Sequence, residues 1–164
     1  RTETKFRKLI FPANLYVFCT SNYREDKKVV EDNLMRRFDL LELYPRYNEA
    51  IYENKEVSDF LENFNHSILE KLSETEIHPD RFLIGHANWL KGKVEDENTF
   101  CRALLKAIVE FKDIREIEWR ELKPILEQIN KLPFGIGVDM LKANNYKELI
   151  ENLQGKAFGE FIND

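Results

Sequence analysis

The rhythm of apolar residues changes near position 45. Before it they come in short unbroken runs; after it they recur every three or four positions. Residues 15–19, Leu-Tyr-Val-Phe-Cys, form a near-continuous run of strand formers that follows Pro12-Ala13-Asn14 and is closed by Thr20-Ser21-Asn22. A run without polar alternation predicts a strand buried on both faces, as in a parallel sheet. Residues 27–38 space Val30, Leu34 and Phe38 four apart, with acidic Glu31 and Asp32 among them, which predicts a short helix. Leu40, Leu41 and Leu43 resume the strand pattern, and Pro45 ends it. Strand, loop, helix and strand over residues 1–45 predict a βαβ unit with a short crossover.

Beyond Pro45 the pattern is helical. Residues 57–72 carry Phe60, Leu61, Phe64, Ile68, Leu69 and Leu72 at helical spacing, and residues 96–112 carry Phe100, Leu104, Leu105, Ile108, Val109 and Phe111 in a broad stripe. Between them, residues 77–93 contain Pro79, Gly85 and Gly92 and predict irregular structure. Their aromatics Phe82 and Trp89 imply that this stretch is packed. A further helix is expected at 119–129, with Pro124 as a kink or restart. Pro133-Phe134-Gly135-Ile136-Gly137 interrupts the chain, and residues 146–153 predict a last amphipathic helix. The expected fold is therefore an α/β start with two parallel strands, followed by a mainly α-helical part, and no internal repeat is evident.

Composition narrows the classes. The 164 residues are 43% hydrophobic and include 12 Phe, 6 Tyr and 2 Trp, enough for a core in one domain or two small ones. Only 6 Gly and 5 Pro are present and the apolar runs are short, which excludes collagen-like, low-complexity and membrane-spanning readings. Lys and Arg number 25 against 30 Asp and Glu, so 25 − 30 gives −5; this argues against a dedicated nucleic-acid clamp while leaving local contacts open. Arg24, Lys27 and Lys28 form one compact basic loop, diluted by Glu25 and Asp26. Two cysteines, Cys19 and Cys101, are too few and too far apart for a disulfide framework or zinc knuckle, pointing to a reducing cytoplasm. His66 and His78 lack partners at metal-ligand spacing, so no metal site is expected. Cys101 falls in the apolar stripe and reads as core, and the carboxylate-rich residues 70–80 read as a solvated helix end and loop.

Chemistry concentrates in two strings. Cys19-Thr20-Ser21-Asn22 ends the first expected strand, and Arg36-Arg37-Phe38-Asp39 ends the following helix. Taken separately, Asn22 reads as a turn residue bonding its own backbone, and the arginines as cations at the negative end of a helix dipole. A third string, Ile84-Gly85-His86 followed by Trp89-Leu90, lies in the irregular stretch. His86 is open there to two readings, a polar reader of ligand or neighbouring subunit and a satisfied structural residue.

In this order and spacing the strings resemble the latter part of an AAA+ ATPase core and its lid, and the third resembles the lid motif of McrB-type NTPases, motor subunits of methylation-dependent restriction systems. The resemblance covers about residues 10–125. It implies that Asn22 is the sensor-1 residue, whose amide aligns the attacking water against the γ-phosphate. It implies that Arg36 or Arg37 is a trans arginine finger, offsetting charge on the transferring phosphoryl group of a neighbouring subunit. Gly85 and His86 would be cofactor-binding residues of the lid. The sequence departs from the family where Tyr23-Arg24-Glu25-Asp26-Lys27-Lys28 follows sensor 1, at Met35 before the arginine pair, and at Leu83, with Arg81 displaced by two from the lid arginine.

On that resemblance, residues 1–45 are the end of the core, 46–131 a helical lid and 132–164 a C-terminal helical extension. No G-x-x-x-x-G-K-[ST] string occurs; Gly92-Lys93 lacks its preceding strand, first Gly and hydroxyl residue. With an opening Arg rather than Met, the chain reads as a C-terminal fragment whose phosphate loop and Mg²⁺-holding acid lie upstream. The complete protein would hydrolyse ATP or GTP with Mg²⁺ in a homo-oligomeric ring, with a nuclease subunit and DNA as possible partners and no membrane. The fragment alone would be inactive and bind no nucleotide. The competing reading is a non-catalytic helical protein-interaction module, in which residues 82–89 and the C-terminal helices dock a partner.

Overall fold

A computed structural model describes residues 43–74 and 79–158, together with the single positions Tyr16, Phe18, Asp39 and Leu41. Four α-helices carry the fold: α1, Lys55–Leu72; α2, Glu97–Asp113; α3, Trp119–Glu127; and α4, Tyr146–Phe158. Short 3-10 turns lie between them, among them Pro79–Phe82, His86–Asn88 and Pro133–Gly135. No strand occurs among the described residues.

The expected α/β start is thereby overturned. At the four described positions of the two expected strands, Tyr16, Phe18, Leu41 and Leu43, there is no strand pairing, and these side chains are 81%, 93%, 83% and 74% exposed where burial on both faces was expected. The rest of residues 1–42, including the expected helix at 27–38, lies outside the described residues. The physical reason is hydrogen-bond supply. A strand buries its backbone only when neighbours on both sides take up its donors and acceptors, whereas each helix after residue 45 satisfies its own.

The helices begin where side chains can cap them. Asn54 accepts from the Val57 N–H at 3.0 Å to open α1. Asp96 and Thr99 form a reciprocal capping box at α2: Asp96 Oδ1 accepts from the Thr99 N–H at 2.8 Å and Thr99 Oγ1 from the Asp96 N–H at 3.0 Å. The Thr99 N–H first, and its hydroxyl second, hold the Asp96 carboxyl below the usual carboxylate range. Pro124 sits inside α3 without splitting it, but the helix ends three residues later in 3-10 bonds from the Gln128 and Ile129 N–H groups.

The apolar stripes meet in one core. Phe60 of α1, Trp89 and Phe100 of α2 form a triangle with ring centroids 4.9 to 5.6 Å apart, and Phe64 stacks on Phe111 at 6.1 Å. The longest mutual packing is between α2 and α4, while α1 packs on α3. Leu149, Leu153 and Ala157 of α4 belong to the same buried cluster as α1 and α2, so the core runs without a break across residue 132. Cys101 is fully buried in it, and burial pushes its thiol up to about 11. Among the described residues no helix is long and apolar enough to cross a membrane.

One surface carboxylate fastens a distant turn. Glu56, in the first turn of α1, accepts from Lys131 Nζ at 2.8 Å and from the Phe134 N–H at 3.1 Å, where Phe134 takes a left-handed backbone with φ of 59°. The Lys131 bond first, and the backbone bond second, hold the Glu56 carboxyl below its usual value. A lowered carboxyl stabilises the fold above the unfolded pKa, near 4 for glutamate, and that stabilisation is lost as pH falls through the lower folded value. In urea melts over the acid range, Glu56→Gln should lose part of the wild-type fall in midpoint below about pH 4 while its neutral-pH midpoint drops slightly. An unchanged acid profile would remove Glu56 from this role.

Candidate functional site

The irregular stretch between α1 and α2 is held from two sides. Asn65 on α1, 1% exposed, grips the Ile84 peptide twice: its Oδ1 accepts from the Ile84 N–H at 2.7 Å and its Nδ2 donates to the Ile84 carbonyl at 3.0 Å. The same Nδ2 donates to Tyr47 Oη at 2.9 Å. Arg115, just beyond α2, donates from Nη1 to the carbonyls of Arg81 at 3.0 Å and Leu83 at 3.2 Å. Its Nε reaches Glu110 Oε1 at 3.0 Å, and its guanidinium lies 5.6 Å from the Phe111 ring. Sequence reasoning missed both residues; a polar Asn65 on the apolar face of α1 was the one available signal.

The segment leading into α1 is pinned similarly. Ser58 Oγ donates to the Tyr47 carbonyl at 2.8 Å, and the Tyr52 hydroxyl donates to the Arg46 carbonyl. Burial raises the Tyr47 hydroxyl and pushes Tyr52 up to about 12, so both phenols stay protonated at neutral pH.

These restraints shape an open cleft of about 340 Å³, within the range of small-molecule sites. Leu43, Tyr44 and Pro45, Ala103 and Ala107 of α2, Trp89 and the Glu110–Arg115 pair line it. Gly85 and His86 stand at the lip. Gly85 is exposed with an ordinary extended backbone, φ −69° and ψ 144°, and a Cβ there would meet nothing within 4 Å. The fold therefore makes no demand for glycine at this position. His86 is half-buried, and its Nδ1 accepts from the Arg46 N–H at 3.4 Å, which places the proton of the neutral ring on Nε2.

The structure thus brings together Gly85, His86 and the start of the helical part. Asn22, Arg36 and Arg37, and the basic loop of Arg24, Lys27 and Lys28, lie outside the described residues. Among the described residues no group of three His, Cys, Asp or Glu side chains is placed to hold a metal ion.

Asn65→Leu should destabilise the fold by about 3 kcal/mol, because it leaves the Ile84 N–H and carbonyl buried and unpaired. His86→Ala should cost under about 0.5 kcal/mol, as for surface substitutions generally. Chemical melts of both variants check the contrast, and equal midpoints would show that Asn65 does not hold the lip.

A scan against family models finds no match for the chain, and searches of curated proteins and of solved structures find none either.

Proposed function

We propose that this chain is the lid-bearing C-terminal part of an AAA+ NTPase similar to the McrB-type motor subunits, and that the Gly85–His86 lip contacts the nucleotide. The observation that carries the reading is the position of Gly85. An exposed glycine that the backbone does not need, at the mouth of a ligand-sized cleft, suits close approach of a ligand to the main chain. The lip also stands directly beside Arg46, where the chain enters the helical unit from the segment carrying Asn22, Arg36 and Arg37.

In the complete protein ATP or GTP with Mg²⁺ would be held by an upstream phosphate loop and acid. Asn22 would orient the attacking water through its amide without adding charge. Arg36 or Arg37 would act across the subunit boundary of a homo-oligomeric ring; adjacent residues on a helix diverge by roughly 100°, so one guanidinium reaches the phosphate and the other anchors locally. His86 would offer its Nε2 proton to an acceptor on the nucleotide. A nuclease subunit and DNA would be the partners of the assembled motor.

Several outcomes test this reading. By titration calorimetry the 164-residue chain alone should bind neither ATP nor GTP at micromolar concentration, since it contains no phosphate loop; tight binding would overturn the assignment of that loop to an upstream segment. In the complete NTPase, Gly85→Ala should raise KM about tenfold with a smaller change in kcat, the signature of lost nucleotide binding. It should also raise stability slightly, by about 0.5 kcal/mol, through the unfolded state. An unchanged KM would return Gly85 to a surface turn. Asn22→Ala should lower kcat and leave KM nearly unchanged. Mixing that variant with the double variant Arg36→Ala, Arg37→Ala should restore part of the activity, placing the two on opposite sides of a shared site. If the arginine variants hydrolyse normally, the chain is a docking module.

A further inference from the structure

Cations and carboxylates are not evenly distributed over this acidic chain. Residues 81–93 contain no Asp or Glu, and neither do residues 98–109, although the whole sequence holds 30. The two acid-free stretches meet in space at the His86–Asn88 turn. Lys93 Nζ donates to the Ala87 carbonyl at 2.7 Å, Lys106 Nζ donates to Asn88 Oδ1 at 3.3 Å, and the Arg46 N–H donates to His86. Two residues of the turn therefore touch a lysine ammonium, and the third touches the backbone of Arg46.

Elsewhere most of the positive charges are spent on carboxylates; Arg102 instead donates from Nε to the Ala157 carbonyl at 3.0 Å, with its guanidinium 5.1 Å from the Phe158 ring. Lys55, Lys71, Lys112, Arg115, Arg120, Lys123, and then Lys131, Lys142, Lys147 and Lys156 each lie within 4.0 Å of an acidic oxygen. Arg46, Lys91, Lys93 and Lys106 make no ion pair with a described residue, and all four are exposed on or beside the turn. Screening confines the field of a surface charge to about 8 Å at physiological ionic strength. A ligand at the turn therefore meets these cations far more strongly than the overall charge of −5.

We infer that the 86–93 lip, with Arg46 and Lys106 beside it, is a contact surface for the phosphodiester backbone of a nucleic acid strand. Lys93 and Lys106 each spend one ammonium proton on the turn and keep two for phosphate oxygens, so their heads are held in place before binding. The Lys91 backbone is fixed as well, its N–H donating to the Ile51 carbonyl at 2.8 Å. The bare backbone at Gly85 leaves room for a phosphate beside the turn. Phosphate contacts of this kind position a strand without reading its bases, and no base recognition is assigned to the surface. The inference is independent of the nucleotide reading, because it rests on cations outside the cleft and needs no hydrolysis.

The test uses the full 164-residue chain and fluorescein-labelled oligonucleotides of about 20 nucleotides, single-stranded and duplex, in anisotropy titrations between 50 and 200 mM salt. Binding should weaken with salt, with a log–log slope of about −2 to −4, as expected for a few phosphate contacts. The double variant Lys93→Gln, Lys106→Gln should flatten that slope by about two on duplex, or somewhat less on a single strand, and weaken binding by about tenfold or more at the lower salt. Lys123→Gln with Lys147→Gln, on α3 and α4, should change neither. Circular dichroism confirms that all variants stay folded. The relative affinity for the two oligonucleotides identifies the form of strand held. Absence of binding to both, loss that is equal in the control variant, or equal affinity for polyglutamate of similar length would overturn the inference, the last in favour of an acidic protein partner. ATP hydrolysis by the complete enzyme does not enter the measurement, so failure here leaves the lid reading untouched.

Discussion

One buried carboxamide organises the irregular half of this molecule. Leu83 and Ile84 are buried beside α1 outside any helix, and among the described residues no strand lies alongside to take their hydrogen bonds. Asn65 supplies what a strand would have supplied, a donor and an acceptor side by side in one plane, and matches both groups of the Ile84 peptide. Leaving those groups unpaired in the core is costly, so the position of Ile84 follows from that of Asn65. From Ile84 the rest is determined at short range: Gly85 is carried out to the surface, the 86–88 turn follows, and Trp89 returns to the core against Phe60 and Phe100.

Arg115 performs the complementary task from just beyond α2. Its guanidinium binds two carbonyls of the same stretch while Glu110 balances its charge, and the side chain is only 12% exposed. A buried charge of this kind is tolerable because it is both paired and hydrogen-bonded. The stretch leading to the lip is therefore fixed at Arg81 and Leu83 by an ionic clamp and at Ile84, next to Gly85, by a neutral one. What remains free is the surface of the turn, where Gly85, His86 and the unpaired lysines lie.

The division between a rigid interior and an undemanding lip bears on how the two proposed activities relate. The cleft faces Tyr44 and Pro45, and the lysines surround the turn at its rim. A ligand in the cleft and a strand across the lip would share Gly85 and the 86–88 turn, whereas Arg46, Lys91, Lys93 and Lys106 lie outside the cleft lining. Each is carried by its own observation: a glycine that the fold does not require, and cations that no described carboxylate neutralises.

The helices after residue 45 were legible in the sequence because amphipathic spacing is a local property. The expected 57–72 and 96–112 lie within one or two residues of α1 and α2, and the aromatic content of 77–93 correctly announced a packed loop. The last helix ran five residues longer than expected, because Ala157, beyond the gap of Gly155 and Lys156, still reaches the core. The α/β start was misread because strand formers describe what a segment can do only when neighbours provide hydrogen bonds; Tyr16, Phe18, Leu41 and Leu43 have the composition of a buried strand and none of its pairing. Asn65, Arg115 and the lysines at the turn were hidden for the opposite reason. Their partners are 18 to 34 positions away in the chain or sit in a turn that has no periodic signature, so only the tertiary structure brings them together. The sequence by itself determined which segments after residue 45 are helical; the packing of α1 against the 83–85 stretch decided that Gly85 and His86 stand at a lip, because buried peptide groups must be paired wherever the chain happens to supply a partner.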